Sequence, residues 1–328
     1  MTGDKLQRGD KICVIAPSRS LGIISQHVIE LATTRLNEIG LEVCFSKNCH
    51  QMDEFHSSSI EARIDDLHTA FSDKTVKGIL TAIGGHNSNQ LLNKIDYSII
   101  KSNPKILCGF SDITALSNAI YTKTELITYN GPHFSTLGMA QELDYTIEYF
   151  KKCLMSENGY SITPSQYWSD DEWYINQDQR DFYPNTGYQV INTGQASGTI
   201  IGGNLCTFNL LQGSCFLPEP ENAILFLEED NLLELNTLSE FDRNLQSIIH
   251  LKSFHSVKGI VIGRFQTASQ ITLEQICKLI HSKPELNSIP VICNLDFGHT
   301  TPQLTFPIGG EAEIIATSTR CEIMIKKH

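Results

Sequence analysis

The feature that most constrains the fold is a run of four short apolar segments, KICVIA (11–16), LEVCFS (41–46), KGILTAI (77–83) and KILCG (105–109). None alternates apolar with polar residues, so each expects to be buried on both faces. Between them lie stretches with helical spacing. Residues 25–39 read as a helix stopped by Gly40, and residues 59–71 carry Ile60, Ile64, Leu67 and Phe71 on one face. Residues 89–95 read as the start of a third helix, and a fourth begins near Ile113. Strands that alternate with helices in this way imply parallel βαβ units.

The pattern changes after about residue 155. Residues 158–195 are rich in Tyr, Trp, Asn, Asp, Ser and Gly. Strand signals then dominate: GTIIGG (198–203), AILFLEE (223–229), KGIVIGRF (258–265), PVICNL (290–295), AEIIAT and CEIMIKK. Helices are expected only at 239–251 and 273–280. The 328 residues therefore divide into an N-terminal α/β domain (1–155), an aromatic linker or insert (156–195) and a C-terminal β-rich domain (196–328).

Charge narrows the range of partners. Lys and Arg number 25 against 37 Asp and Glu, a net charge of −12 with no basic run, which argues against nucleic acid. A small phosphorylated ligand in a local pocket remains compatible. The ten cysteines form no C-x-x-C pair and sit mostly in apolar runs, as free thiols do in a reducing compartment. The N-terminus has no signal-peptide apolar region, and no stretch nears the ~18 apolar residues of a membrane span. A cytoplasmic protein without membrane attachment is expected.

Several residues could carry chemistry. In GFSDI, Ser111 and Asp112 sit where a strand turns into a helix. Either could cap that helix. Ser111 could equally be a nucleophile above a helix N-terminus, although the second glycine of a G-x-S-x-G elbow is missing. A nucleophilic serine needs a base and an orienting acid. His299, in DFGHTTPQ after an apolar strand, is the leading base, with His86 and His133 as rivals. Glu228 ends the apolar run AILFL, where a carboxylate is costly unless paired. Gly84-Gly85 closes a strand and is either a plain turn or a close approach to substrate. Neither G-x-G-x-x-G nor a P-loop is present, and no H-E-x-x-H or Cys/His cluster appears, so no cofactor and no metal are expected.

These signals gain force together. GFSDITAL, IGGHNSNQLL, IIGGNLCTFNLLQGS, ILFLEE and FGHTTPQLTFPIG occur in this order along nearly the whole chain. The sequence resembles the LD-carboxypeptidase family of serine peptidases, and within it the microcin C immunity branch. The resemblance implies a flavodoxin-like parallel-sheet domain followed by a β-rich α/β domain. It also implies a triad of Ser111, His299 and Glu228, an oxyanion hole from the Gly85 and Asp112 N–H groups, with Asp112 also capping the helix, and a homodimer. The branch assignment rests on the Trp-bearing segment 167–194. Substrate contacts are expected from Gly84, His86, Trp168 and Trp173, with Trp173 favoured over Trp168 for stacking on a base. The implied activity is hydrolysis of an acidic aminoacyl group from a nucleotide-like moiety. The alternatives are LD-carboxypeptidase action on muramoyl tetrapeptides and a non-catalytic binding protein that uses the same cleft.

Overall fold

The protein is described by a computed structural model covering residues 1–328. Lys11–Ile15 (β1), Glu42–Phe45 (β2), Val76–Thr81 (β3), Ile106–Cys108 (β4) and Thr128–Asn130 (β5) form a parallel sheet in the order β2-β1-β3-β4-β5. This is the flavodoxin-like order of doubly wound sheets, which bind ligands beyond the carboxyl ends of their strands.

Local chemistry sets the helices. Gln26–Glu38 (α1) is capped by the Ser25 hydroxyl accepting from the Val28 N–H, and Gly40 follows with φ +96°. Ile60–Ser72 (α2) is capped in the same way by Ser59. The third helix differs from expectation. Residues 88–91 make only a short 3-10 turn, and Tyr97–Ser102 (α3) starts later, where the Asp96 carboxylate accepts from the Ser98 N–H. Ile113–Thr124 (α4) follows β4 and is buried on nearly every face.

The remaining helices are Asp144–Leu154 (α5), Leu205–Asn209 (α6), Thr237–Ile249 (α7) and Leu273–His281 (α8). The remaining strands are Tyr160–Ile162 (β6), Tyr167–Trp168 (β7), Tyr183–Pro184 (β8), Gln189–Asn192 (β9), Gly194–Asn204 (β10), Ala223–Glu228 (β11), Gly259–Gly263 (β12), Val291–Leu295 (β13), Phe306–Ile308 (β14), Glu311–Ala316 (β15) and Cys321–Lys327 (β16). Eight of them form a mixed sheet, β6-β16-β15-β10-β11-β12-β13-β9. Its centre, β10 to β13, is parallel and joined by helical crossovers, and its flanks are antiparallel.

The two sheets share their cores. One apolar cluster joins Val14, Leu80 and Tyr129 to Phe226, Phe297 and Phe306, and the other joins Ile15 and Leu107 to Leu225 and Ile262. β14 crosses back and pairs antiparallel with β5, Phe306 opposite Asn130. Helix α4 lies at this seam, with Asn118 Nδ2 donating to the Gly202 carbonyl at 2.8 Å. The seam brings the ends of β3, β4, β11 and β13 to one place.

All ten cysteines are free; five are buried, four are half-buried and Cys215 is exposed. No helix is long and apolar enough to cross a membrane.

Candidate active site

Ser111 stands directly after β4 with φ +57°, a left-handed conformation that costs a non-glycine residue about 1–3 kcal/mol. The α4 turn holds it there, as the Thr114 N–H donates to the Ser111 carbonyl at 2.9 Å. Neither Ser111 nor Asp112 caps α4 with its side chain, which corrects the capping expected of Asp112. The Asp112 carboxylate is buried and used elsewhere. It accepts from Ser18 Oγ at 2.5 Å and from the Ser88 N–H at 2.8 Å, tying the loops after β1 and β3 to the elbow.

Three side chains form one hydrogen-bonded line. Ser111 Oγ lies 3.0 Å from His299 Nε2, and His299 Nδ1 lies 2.8 Å from Glu228 Oε2. Glu228 is the last residue of β11 and is 2% exposed. His299 comes from the loop after β13. That loop is held by Gln303 Nε2 donating to the Gly298 carbonyl at 2.6 Å and by a two-way backbone bridge between Ser169 and Thr301. Gly298, at φ +105°, makes the approach possible, since a Cβ there would stand 2.8 Å from Glu228 Oε2.

Two opposed effects set the charge on His299. Burial alone favours the neutral ring, but Glu228, with help from Asp230 and Glu229, raises its pKa to about 9. Glu229 is also buried, and burial together with the Glu228 charge raises it to about 8.

His133, the rival base, is 2% exposed and sits under Phe110, with ring centroids 4.3 Å apart. Its Nδ1 is 2.7 Å from Thr81 Oγ1, and burial, with His299 adding, pushes its pKa down to about 3. It is a neutral wall residue beside the line.

A cleft of about 610 Å³ opens over Ser111 and His299. Gly84, Gly85, His133, Arg19, Asp230 and Trp173 are among its walls. His86 is exposed and lies outside the cleft lining, because Gly85 at φ +155° turns the chain before it. Trp168 also lies outside the lining. Its ring packs on Tyr183 at 5.1 Å and under the Arg264 guanidinium at 4.8 Å. Arg264 in turn pairs with Asp296 at 3.1 Å, both fully buried, so Trp168 anchors the insert. Arg19 and Asp230 were not singled out by sequence reasoning. For Arg19 a usable signal existed, since it follows the carboxyl end of the first strand.

Cys206, Glu229 and Asp230 have ligand atoms within 4.8 Å of one another, a possible cation cluster. The donor set fits poorly. Burial raises the pKa of both the Cys206 thiol and the Glu229 carboxyl, against the deprotonated forms a metal ion needs, and Cys206 Sγ donates to Asn204 Oδ1 at 3.1 Å.

A strand-to-helix elbow serine joined through histidine to a buried glutamate, in a cleft between two α/β sheets, is an arrangement suited to serine hydrolase chemistry. Residues 12–131 match the LD-carboxypeptidase N-terminal domain and residues 197–314 the LD-carboxypeptidase C-terminal domain, so the chain belongs to this family of serine-type carboxypeptidases. YocD of Bacillus subtilis, a carboxypeptidase by name, is 51% identical over the full length of both chains. The crystal structure of an MccF-like protein from Bacillus anthracis superposes with a TM-score of 0.99 at 53% identity, covering 100% of both chains. The microcin C7 self-immunity protein MccF of Escherichia coli is 30% identical over 92% of this chain and 89% of its own. Structures of MccF in complex with aspartyl sulfamoyl adenosine (TM-score 0.86, 28% identity, 100% of this chain and 99% of that one) and with glutamyl sulfamoyl guanosine (0.87, 28%, 99% and 98%) share the fold.

Proposed function

We propose that this carboxypeptidase hydrolyses the bond between an acidic aminoacyl group and a nucleotide-like moiety, as in processed microcin C, and so detoxifies such conjugates in the cytoplasm. The observation that carries the catalytic half is the line from Ser111 Oγ through His299 to Glu228, at 3.0 and 2.8 Å. Ser111 Oγ attacks the acyl carbonyl carbon while His299 Nε2 takes its proton. The oxyanion is held by the N–H groups of Gly85 and Asp112. His299 then gives the proton to the leaving nitrogen, and the acyl-serine ester forms as the C–N bond breaks. Water, deprotonated by the same histidine, attacks the ester and releases the free amino acid. Glu228 keeps the imidazole oriented and stabilises its cation.

The substrate half rests on Trp173, whose indole lines the cleft where a base can stack. Support also comes from the aminoacyl-sulfamoyl nucleosides bound by MccF. The test is a hydrolysis panel of an aspartyl-adenylate analogue, a glutamyl analogue and a muramoyl tetrapeptide, run with wild type and Ser111→Ala. Release of adenylate by wild type, with a loss of several orders of magnitude in a folded Ser111→Ala, is the expected result. Turnover of the tetrapeptide alone would replace this reading with cell-wall recycling. Binding without turnover by wild type would make the protein a receptor.

A further inference from the structure

The cleft is electrically lopsided. Asp170, Asp171, Glu172 and Asp230 line it from the insert and the loop after β11, yet Arg19 is the one lysine or arginine on its walls. The carboxylates are engaged: Asp170 with Thr267, Asp171 with Arg180, Glu172 with the Tyr174 hydroxyl, and Asp230 with the Leu232 N–H. Arg19 is not. Its side chain is exposed and takes part in none of the chain's ion pairs.

The backbone beneath Arg19 is held firmly. Its N–H donates to the Gly84 carbonyl at 3.2 Å, and it bridges to Ser57. Ser57 Oγ donates to the Ser18 carbonyl at 2.6 Å, and Ser18 Oγ donates to the Asp112 carboxylate. The base of the side chain packs on Gly85, where a Cβ would stand 2.8 Å from Arg19 Cγ. Gly84, one residue earlier, touches Ser111: a Cβ there would stand 3.0 Å from its Oγ. The Gly84-Gly85 pair thus has the nucleophile on one side and an unpaired guanidinium on the other.

We infer that Arg19 selects substrates that carry a carboxylate on the acyl residue, pairing its guanidinium with that group. This rests on the functional reading above, in which the leaving nucleotide lies against Trp173 and the acyl residue is bonded to Ser111. The planar fork of arginine suits a carboxylate, and the acidic walls offer such a group no other lysine or arginine in the cleft. Those walls also repel an anion bound in the wrong orientation.

Calorimetry in the Ser111→Ala background tests this with three probes: aspartyl-sulfamoyl adenosine, alanyl-sulfamoyl adenosine and AMP. Adding Arg19→Gln is expected to weaken the aspartyl probe about ten-fold or more. The alanyl probe and AMP keep their affinities, and Arg19→Lys recovers part of the loss. Unchanged affinity for the aspartyl probe in Arg19→Gln, or an equal loss for all three probes, overturns the assignment while the nucleotide reading stands. If none of the three binds to the Ser111→Ala protein carrying native Arg19, the nucleotide reading fails, and the selection argued from it falls too.

Discussion

Replacing Gly84 by alanine tests how closely the elbow is positioned without altering any group that takes part in proton transfer. Gly84 has no left-handed φ, so alanine meets no backbone penalty there. The added methyl would stand 3.0 Å from both Cβ and Oγ of Ser111 and 3.4 Å from His133 Nε2. Carbon contacts settle at about 3.5–4.0 Å, so roughly 0.5 Å must be found. His133 cannot readily give way, because it is buried and bonded to Thr81. The Ser111 backbone is fixed by its left-handed φ and by α4, so the displacement falls on the hydroxyl and its 3.0 Å bond to His299. A misplacement of about 1 Å costs about 100-fold, so half of that predicts about a ten-fold loss in kcat. Overpacking of this kind costs about 1 kcal/mol, or about 2–4 °C in Tm. The assay pairs kcat and the rate of fluorophosphonate labelling with a thermal melt. Wild-type labelling and turnover in Gly84→Ala would refute the claim that the glycine sets the nucleophile's position. A fall in Tm much beyond that range would show that the damage is to the fold instead.

Two further outcomes follow from the site. As the proposed base, His299 works only when neutral, so with its pKa raised to about 9, kcat/KM should climb as pH rises toward that value, and Glu229→Gln, which removes a nearby carboxylate, should move the rising limb to lower pH; a limb at the same pH in both proteins counts against the coupling. Trp173→Ala should raise KM for an aminoacyl-adenylate analogue about ten-fold while sparing a small substrate that lacks the base, whereas Trp168→Ala should act chiefly on stability through Arg264; equal losses on both substrates for Trp173→Ala would make that ring an anchor.

Much of this was legible in the chain itself. The four N-terminal apolar runs and the helical spacing at 25–39 and 59–71 specify strands and helices through short-range chemistry, and those elements appear with shifts of a residue or two. The short element at 88–91 was misread because a few apolar residues at helical spacing do not outweigh an Asp96 cap that starts the helix later. The three-residue strands β5 and β14 were not read from the sequence. A segment of that length carries too little periodicity to be seen, and β14 exists only because β5 offers it an edge.

What the sequence by itself determined is the set of chemical parts: a serine at a strand-to-helix corner, a carboxylate at the end of an apolar strand and a histidine in a glycine-bearing loop. What only the tertiary structure decided is which of these parts meet. Ser111, Glu228 and His299 are separated by up to 188 residues, and no local propensity relates them. Their distances come from two sheets sharing two apolar clusters along α4, and the burial and carboxylates brought together there set the charge on His299 and Glu229. The same packing leaves Trp173 and Arg19 facing the cleft and turns Trp168 and His86 away from it, because orientation at a surface depends on long-range contacts that the identity of a residue does not encode.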